Sequence, residues 1–416
     1  MRMIPPFCTS RAGRLLAAAF ALGLCVPARA QSPAPDLLAE ARAIARQMAG
    51  IRGLAILRPI DFEVSDKTTV TEYARASLSD QMPSGQWEAH EALLVHTGMI
   101  PPGTDLEDLV VRLYAEQIAG YYDPARQTFY LADWLPRLLQ RGVVAHEVTH
   151  ALQDQHFDLE SWLSAVSPTE DGALARAAIA EGDAMAAMIA FLLEPVGAGI
   201  EDLPPISSLL EEGSGGLAAG YPTFDAAPPA LQRLLLFPYV EGSDFVREAL
   251  ARDGWRAVDG LYRDPPSSTE QILHPERYFD SRDEPRAVDL PPDAASSEAL
   301  SEGSWGEFGT RLVLAATLAD TALAAAAANG WDGDRYSLWR GADGSTRYAW
   351  VTLWDSSAAA AGFAEAYAQA ALDRAPASAR IATAEGRFDL ASAGRTLRLV
   401  RHGDRVEIRE TSRIER

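Results

Sequence analysis

The sequence predicts an α+β protein with a mostly helical core, a small sheet containing a hairpin, and a C-terminal α+β subdomain. Three observations predict it. Apolar residues recur at helical spacing through most of residues 106–262. Aromatic and β-branched residues flank a Pro-containing turn at 121–131, which is the pattern of a hairpin. Strand-like runs return only near the C-terminus, beyond a charged, Pro-containing stretch at 280–295 that marks a domain boundary. The expected organisation is a leader over 1–30, an N-terminal α/β segment over 31–105, the central core over 106–285 and the C-terminal subdomain over 300–416.

The leader comes first. Arg2, Arg11 and Arg14 precede an apolar run from Leu15 to Val26 that is too short to span a bilayer, and Ala28-Arg29-Ala30 offers a small-x-small cleavage site before Gln31. No adjacent arginine pair precedes that run, and Leu24 before Cys25 disfavours lipid anchoring. The expectation is a soluble exported protein, periplasmic or extracellular, with no stable membrane insertion. Both cysteines, Cys8 and Cys25, lie in the leader, so disulfides, Cys-ligated zinc and a thiol nucleophile are all excluded from the mature chain.

Leu37, Leu38, Ala41, Ile44 and Ala45 predict an opening helix, and residues 57–64 a short strand. Residues 106–118 form a second amphipathic helix that Gly120 closes. The hairpin follows, then helices at 136–156 and 169–193. Residues 195–229, dense in Gly, Pro and Ser, read as a long loop or flap able to cover a cleft. A helix over 230–262 leads through a turn to Thr269-Glu270-Gln271-Ile272-Leu273-His274-Pro275. An Ala-rich helix and strands at 346–354 and 396–408 complete the chain. Trp331, Trp339, Trp350 and Trp354 read as core aromatics.

The net charge is −21, and the single lysine is Lys67. Such a chain offers no electrostatic footprint for nucleic acid.

The chemistry concentrates in His146-Glu147-Val148-Thr149-His150 on the 136–156 helix. Residues four apart on a helix differ by about 40° of rotation and about 6 Å of rise, so both imidazoles leave one face and can share a metal. Glu147 lies beside them as a base for a zinc-activated water, whose pKa zinc lowers to about 7. A tetrahedral zinc site needs one more protein ligand. His156 has the third-ligand spacing of metzincins, but Gln153 stands where that arrangement needs a chain-reversing glycine. On a continuing helix His156 would lie about 9 Å further along the axis than His150, too far to share a metal. Glu181, on the next helix, is the favoured ligand, because Gly182 and Ala184 permit a close helix crossing. His90 and His96, six apart on a helical pattern, face different ways and are assigned no metal.

These residues resemble the gluzincin pattern of the zincin metallopeptidases. More closely, Gly120-Tyr121-Tyr122-Asp123-Pro124, Ala145 through Gln155, Glu181-Gly182-Asp183-Ala184 and the 269–275 segment look like a family of exported metallopeptidases whose activity is inferred mainly from its motif. The resemblance covers roughly residues 100–285. It implies a zincin-like fold, zinc held by His146, His150 and Glu181, Glu147 as general base, and a peptide or protein substrate. One departure stands out. Thermolysin-type members place an aspartate four residues after the ligand glutamate to orient a histidine, and here that residue is Met185. Asp154 and Asp183 are the candidates to replace it.

Developing charge on the substrate oxygen needs a donor besides zinc, and Tyr121, Tyr122, Tyr278 and His274 are the candidates. The hairpin suits an edge strand that pairs with an extended peptide, or simply packs on the motif helix. The competing functional class is an envelope binding or assembly protein that keeps the zincin fold without turnover; an intact Glu147 favours the enzyme. Oligomeric state is not legible.

Overall fold

In the computed structural model residues 37–412 are described, except 83–84, 118–119, 124–125, 127, 133–136, 165–168, 213–220, 293, 295–298, 319 and 393. The expected leader lies outside the described residues.

Helix α1 (Leu37–Arg52) buries Leu37, Ala41, Ile44, Ala45 and Met48 along one stripe. Strand β1 (Asp61–Ser65) follows, then α2 (Lys67–Gln81), α3 (Gln86–Thr97) and α4 (Leu106–Gln117). The expected strand begins four residues later than 57 for a physical reason. Pro59 has no N–H to give a sheet, and the Leu57 and Arg58 amides donate instead to Gln155 Oε1 at 2.7 and 3.0 Å. Strands β2 (Gly120–Asp123) and β3 (Thr128–Ala132) form the hairpin, with Tyr121 opposite Tyr130. β1 adds to it in parallel, Phe62 opposite Phe129, giving the order β1-β3-β2. Gly120 opens β2 rather than closing α4. A Cβ there would meet Phe129 Cζ at 2.9 Å and Tyr130 O at 3.0 Å, so glycine lets the hairpin strands close.

The motif helix α5 (Arg137–Phe157) lies against β2 and β3, and a short α6 (Leu159–Ser164) follows. Helix α7 (Glu170–Leu193), capped by Thr169 on the Gly172 N–H, crosses α5 and also packs on α1. Because it is covered on nearly every side, both its glycines and most of its alanines are buried. The expected flap at 195–229 is corrected over its described part. It contains 3-10 turns at Glu194–Val196 and Ile200–Asp202, helix α8 (Ile206–Glu212) and helix α9 (Pro222–Ala226). Distant carboxylates hold the N-terminal amides of these short helices. Asp244 accepts from Ile206 and Ser207 at 2.6 and 3.1 Å, and Glu116 accepts from Thr223 and Phe224 at 3.0 Å each.

Helix α10 (Pro229–Arg263) packs along α7 and breaks at Asp253–Gly254, where Gly254 has φ 57°. After the turn come α11 (Thr269–Leu273), capped by Ser268, and α12 (Glu276–Phe279). The 280–295 connection is tied near its start to both α11 and the C-terminal part. Gln271 donates to the Asp283 carbonyl at 2.6 Å, and the Arg286 N–H to that of Asp332 at 2.7 Å.

The C-terminal part comprises β4 (Ala299–Gly303), α13 (Gly306–Ala315), α14 (Thr321–Ala328), β5 (Trp331–Arg340), β6 (Thr346–Trp354), α15 (Ser357–Asp373), β7 (Arg380–Ala384), β8 (Arg387–Ser392), β9 (Arg395–His402) and β10 (Arg405–Ser412). Its strands form one antiparallel sheet in the order β4-β5-β6-β10-β9-β8-β7. Trp331, Trp350 and Trp354 are fully buried, the last two packing on Phe363 of α15; Trp339 is half-buried. The expected strand at 396–408 is two strands, because Gly403 at φ 60° turns the chain. The α+β class therefore holds, with far more C-terminal sheet than the sequence suggested.

His96 of α3 is buried against this sheet, its Nε2 3.5 Å from Glu410 Oε2. Burial lowers its pKa from 6.5 to about 4, with Arg395 and Arg374 adding to the effect and Glu410 opposing it. The unfolded chain therefore takes up this proton first. The stability from a neutral His96 is complete above pH 6.5 and is lost as pH falls towards 4. The loss should be roughly 3 kcal/mol. His96→Gln should flatten that part of the urea-unfolding profile; an unchanged slope would show that His96 does not titrate this way.

Candidate metal centre

Helical geometry delivers the first two donors. His146 and His150 project from one face of α5, and their Nε2 atoms lie 3.0 Å apart. Glu181 of α7 completes a triangle, its Oε2 3.1 Å from His146 Nε2 and 3.4 Å from His150 Nε2. Two ligands about 2.1 Å from a zinc ion at a tetrahedral angle sit about 3.4 Å apart, so the donor set fits a metal of that size. All three residues are buried, and they form a group that could hold a metal ion.

The protonation of Glu181 and His150 suits that role. Burial alone would raise the Glu181 pKa, but His150 and His146 outweigh it and hold the carboxyl down at about 2. Burial lowers the pKa of His150 against the pull of Glu181. A carboxylate and a neutral imidazole are the forms a metal needs.

Gly182, expected to open the crossing of α7 with α5, instead serves the crossing of α7 with α10. A Cβ on Gly182 would fall on the Gly242 carbonyl of α10 and 3.0 Å from Ser243 N, and one on Gly242 would fall on the Ala178 carbonyl. Backbone thus touches backbone where α7 meets α10, one residue from Glu181.

Glu147 is fully buried, and neither carboxylate oxygen has a hydrogen-bond partner among the described residues. Burial raises its pKa well above the usual range and the Glu181 charge adds to this, while the nearby Tyr122 N–H works the other way. A carboxyl tuned upward is what a base working near neutral pH requires.

Tyr239 of α10 joins the cluster without having been expected there. Its ring stacks 6.2 Å from that of His146, and burial, then the charges of Glu181 and Glu147, push its hydroxyl pKa well up. No motif surrounds it. The signal that could have located it is the small pair Gly242-Ser243 one turn on, where α10 meets α7.

The four expected donors are engaged elsewhere. Tyr121 stacks between Tyr73 and Tyr130 at 3.9 and 4.7 Å, and the charges that act on the Tyr122 hydroxyl are those of Asp154, Arg58 and Asp123, not those of the cluster. The Tyr278 hydroxyl donates to the Asp264 carbonyl at 2.5 Å, and His274 Nε2 meets Glu307 at 3.0 Å. His156 Nε2 donates to the Ala55 carbonyl at 2.7 Å, away from the cluster, and His90 Nδ1 to that of Gln86 at 2.8 Å.

Support for His150 comes from Gln153, whose Oε1 is 2.7 Å from His150 Nδ1. Gln153 Nε2 in turn donates to the Ala180 carbonyl at 3.0 Å and to Asp183 at 2.9 Å. Of the two aspartates considered, Asp183 therefore acts through Gln153, and Asp154 instead faces Arg58 at 3.5 Å. A second acidic group, Glu270, Asp283 and Asp355, surrounds Arg277 at 2.7, 2.9 and 2.8 Å, so an arginine already answers its charge.

Comparison with known proteins adds little to this geometry. A family model described as a domain of unknown function, DUF8575, matches residues 296–415, the region of the C-terminal sheet. No curated protein matches the chain. A solved structure from Chloroflexus aurantiacus, provisionally described as a hydrolase with a novel fold, is similar over 59% of this chain and 91% of its own, at 15% identity and a TM-score of 0.32. A likeness of that size carries no argument about fold or activity.

Proposed function

We propose that the chain is an exported zinc metallopeptidase of gluzincin type, with a zincin-like core around α5, α7 and the β2–β3 hairpin. The observation that carries the reading is the convergence of His146, His150 and Glu181 beside a fully buried Glu147. The leader features support export to the periplasm or outside the cell, and no helix among the described residues is long and apolar enough to cross a membrane. The substrate is a peptide or protein, not nucleic acid.

His146, His150 and Glu181 would hold the zinc ion, which would supply Lewis acidity and acidify a water to near neutral pH. Glu147 takes the proton from the attacking water and passes it to the departing amine. The Tyr239 hydroxyl, which hydrogen-bonds Glu181, would be the donor for charge developing on the substrate oxygen. The low dielectric of the buried site strengthens each of these interactions.

One observation favours the second reading, a binding or assembly protein without turnover. His146, Glu147, His150 and Glu181 are each at most 1% exposed, so a substrate reaches them only after the surroundings open. Purified mature protein, intact and after limited nicking within 195–229, should be loaded with zinc and tested on a broad peptide library. The peptidase reading expects cleavage that a chelator abolishes and zinc restores. Stoichiometric zinc with no cleavage by either form would leave the binding protein as the better account.

A further inference from the structure

We infer that Gln153 is a positioning residue that locks His150 in the tautomer able to bind metal, and that Asp183 orients Gln153. The inference rests on the metal-centre reading and deepens it. One end of the Gln153 amide faces the Ala180 carbonyl and the Asp183 carboxylate, at 3.0 and 2.9 Å. Both are acceptors, so that end is the NH₂ group. The other end is then the carbonyl oxygen, which only accepts, and it lies 2.7 Å from His150 Nδ1. That nitrogen must carry the hydrogen. A neutral imidazole protonated at Nδ1 has a bare Nε2, and His150 Nε2 is the atom turned towards His146 and Glu181.

The anchor is itself held. Asp183 accepts from Arg52 Nε at 2.6 Å and Nη2 at 3.2 Å, and from the Tyr262 hydroxyl at 2.8 Å. Arg52 also reaches Asp259 at 2.8 Å. A buried chain therefore runs from α1 through α7 to α5 and ends on a metal ligand. Within Glu181-Gly182-Asp183, the first residue is the ligand, the second allows the close helix contact and the third anchors Gln153. The orienting charge that Met185 does not supply reaches His150 through Gln153. His146 differs, since its Nδ1 has no partner among the described residues.

The test is imidazole nitrogen-15 NMR of the metal-free mature protein, with His150 assigned by a His150→Gln spectrum, alongside zinc titration. Wild type should show His150 as the Nδ1–H tautomer. Gln153→Met, similar in size but without an acceptor, should lose that tautomer and bind zinc about 10–100-fold more weakly. An Nε2–H His150 in wild type overturns the inference, as does a Gln153→Met protein with unchanged tautomer and zinc affinity. If Gln153→Met does not fold, the wild-type tautomer decides alone. If wild type binds no zinc yet shows Nδ1–H lost in Gln153→Met, the role of Gln153 stands and the metal reading falls.

Discussion

Glu147→Gln is expected to retain one zinc per chain while peptide hydrolysis falls at least about a thousandfold, near the upper range of general-base effects. The substitution keeps size and removes only the base, since Glu147 is none of the three converging donors. Its effect on stability should have the opposite sign. The carboxylate is fully buried with both oxygens unpartnered among the described residues, and it lies near the Glu181 charge. An uncharged amide relieves that cost, so the variant should melt no lower than wild type. An active variant, or one that loses zinc, would contradict the role assigned to Glu147.

Gly182→Ala is expected to destabilise the protein by roughly 3 kcal/mol or more, the upper range for overpacking. Helix propensity argues the other way, favouring alanine by about 1 kcal/mol. Contact decides, because the new Cβ would fall on the Gly242 carbonyl, and backbone cannot rotate aside as a side chain can. Any shift of α7 that relieves the clash also moves Glu181 and Asp183, so zinc affinity should fall with stability. Gly362→Ala in α15 is the control. A Cβ there meets nothing within 4 Å, and this variant should gain up to the propensity difference. If both variants gain stability, the close crossing of α7 and α10 is wrong.

What is legible in the sequence is what short range determines. The four-residue spacing of His146 and His150 places two donors on one helix face whatever surrounds the helix, whereas Gly182, read as opening the crossing with the motif helix, marks the contact of α7 with α10. The hairpin, α5 and α7 are legible for the same reason: their periodicity is local. Gln153 shows in the sequence only as a missing glycine, because its role depends on Asp183, 30 residues away on another helix. Tyr239 carries no spacing signal and acquires its place only through the contact of α10 with α7. The short helices at 206–212 and 222–226 are held by Asp244 and Glu116, partners that no local window contains. In the C-terminal sheet, β7 is exposed at every position and so lacks the alternation by which a strand is recognised.

The most direct test of the metal centre is an anomalous-diffraction structure of the zinc-loaded protein, recorded across the zinc edge. The account expects one zinc ion within about 2.0–2.2 Å of His146 Nε2, His150 Nε2 and a Glu181 oxygen. It also expects no such peak for Glu181→Ala under the same conditions. A zinc ion held by His156, one bound away from this triangle, or no bound zinc at all would contradict it.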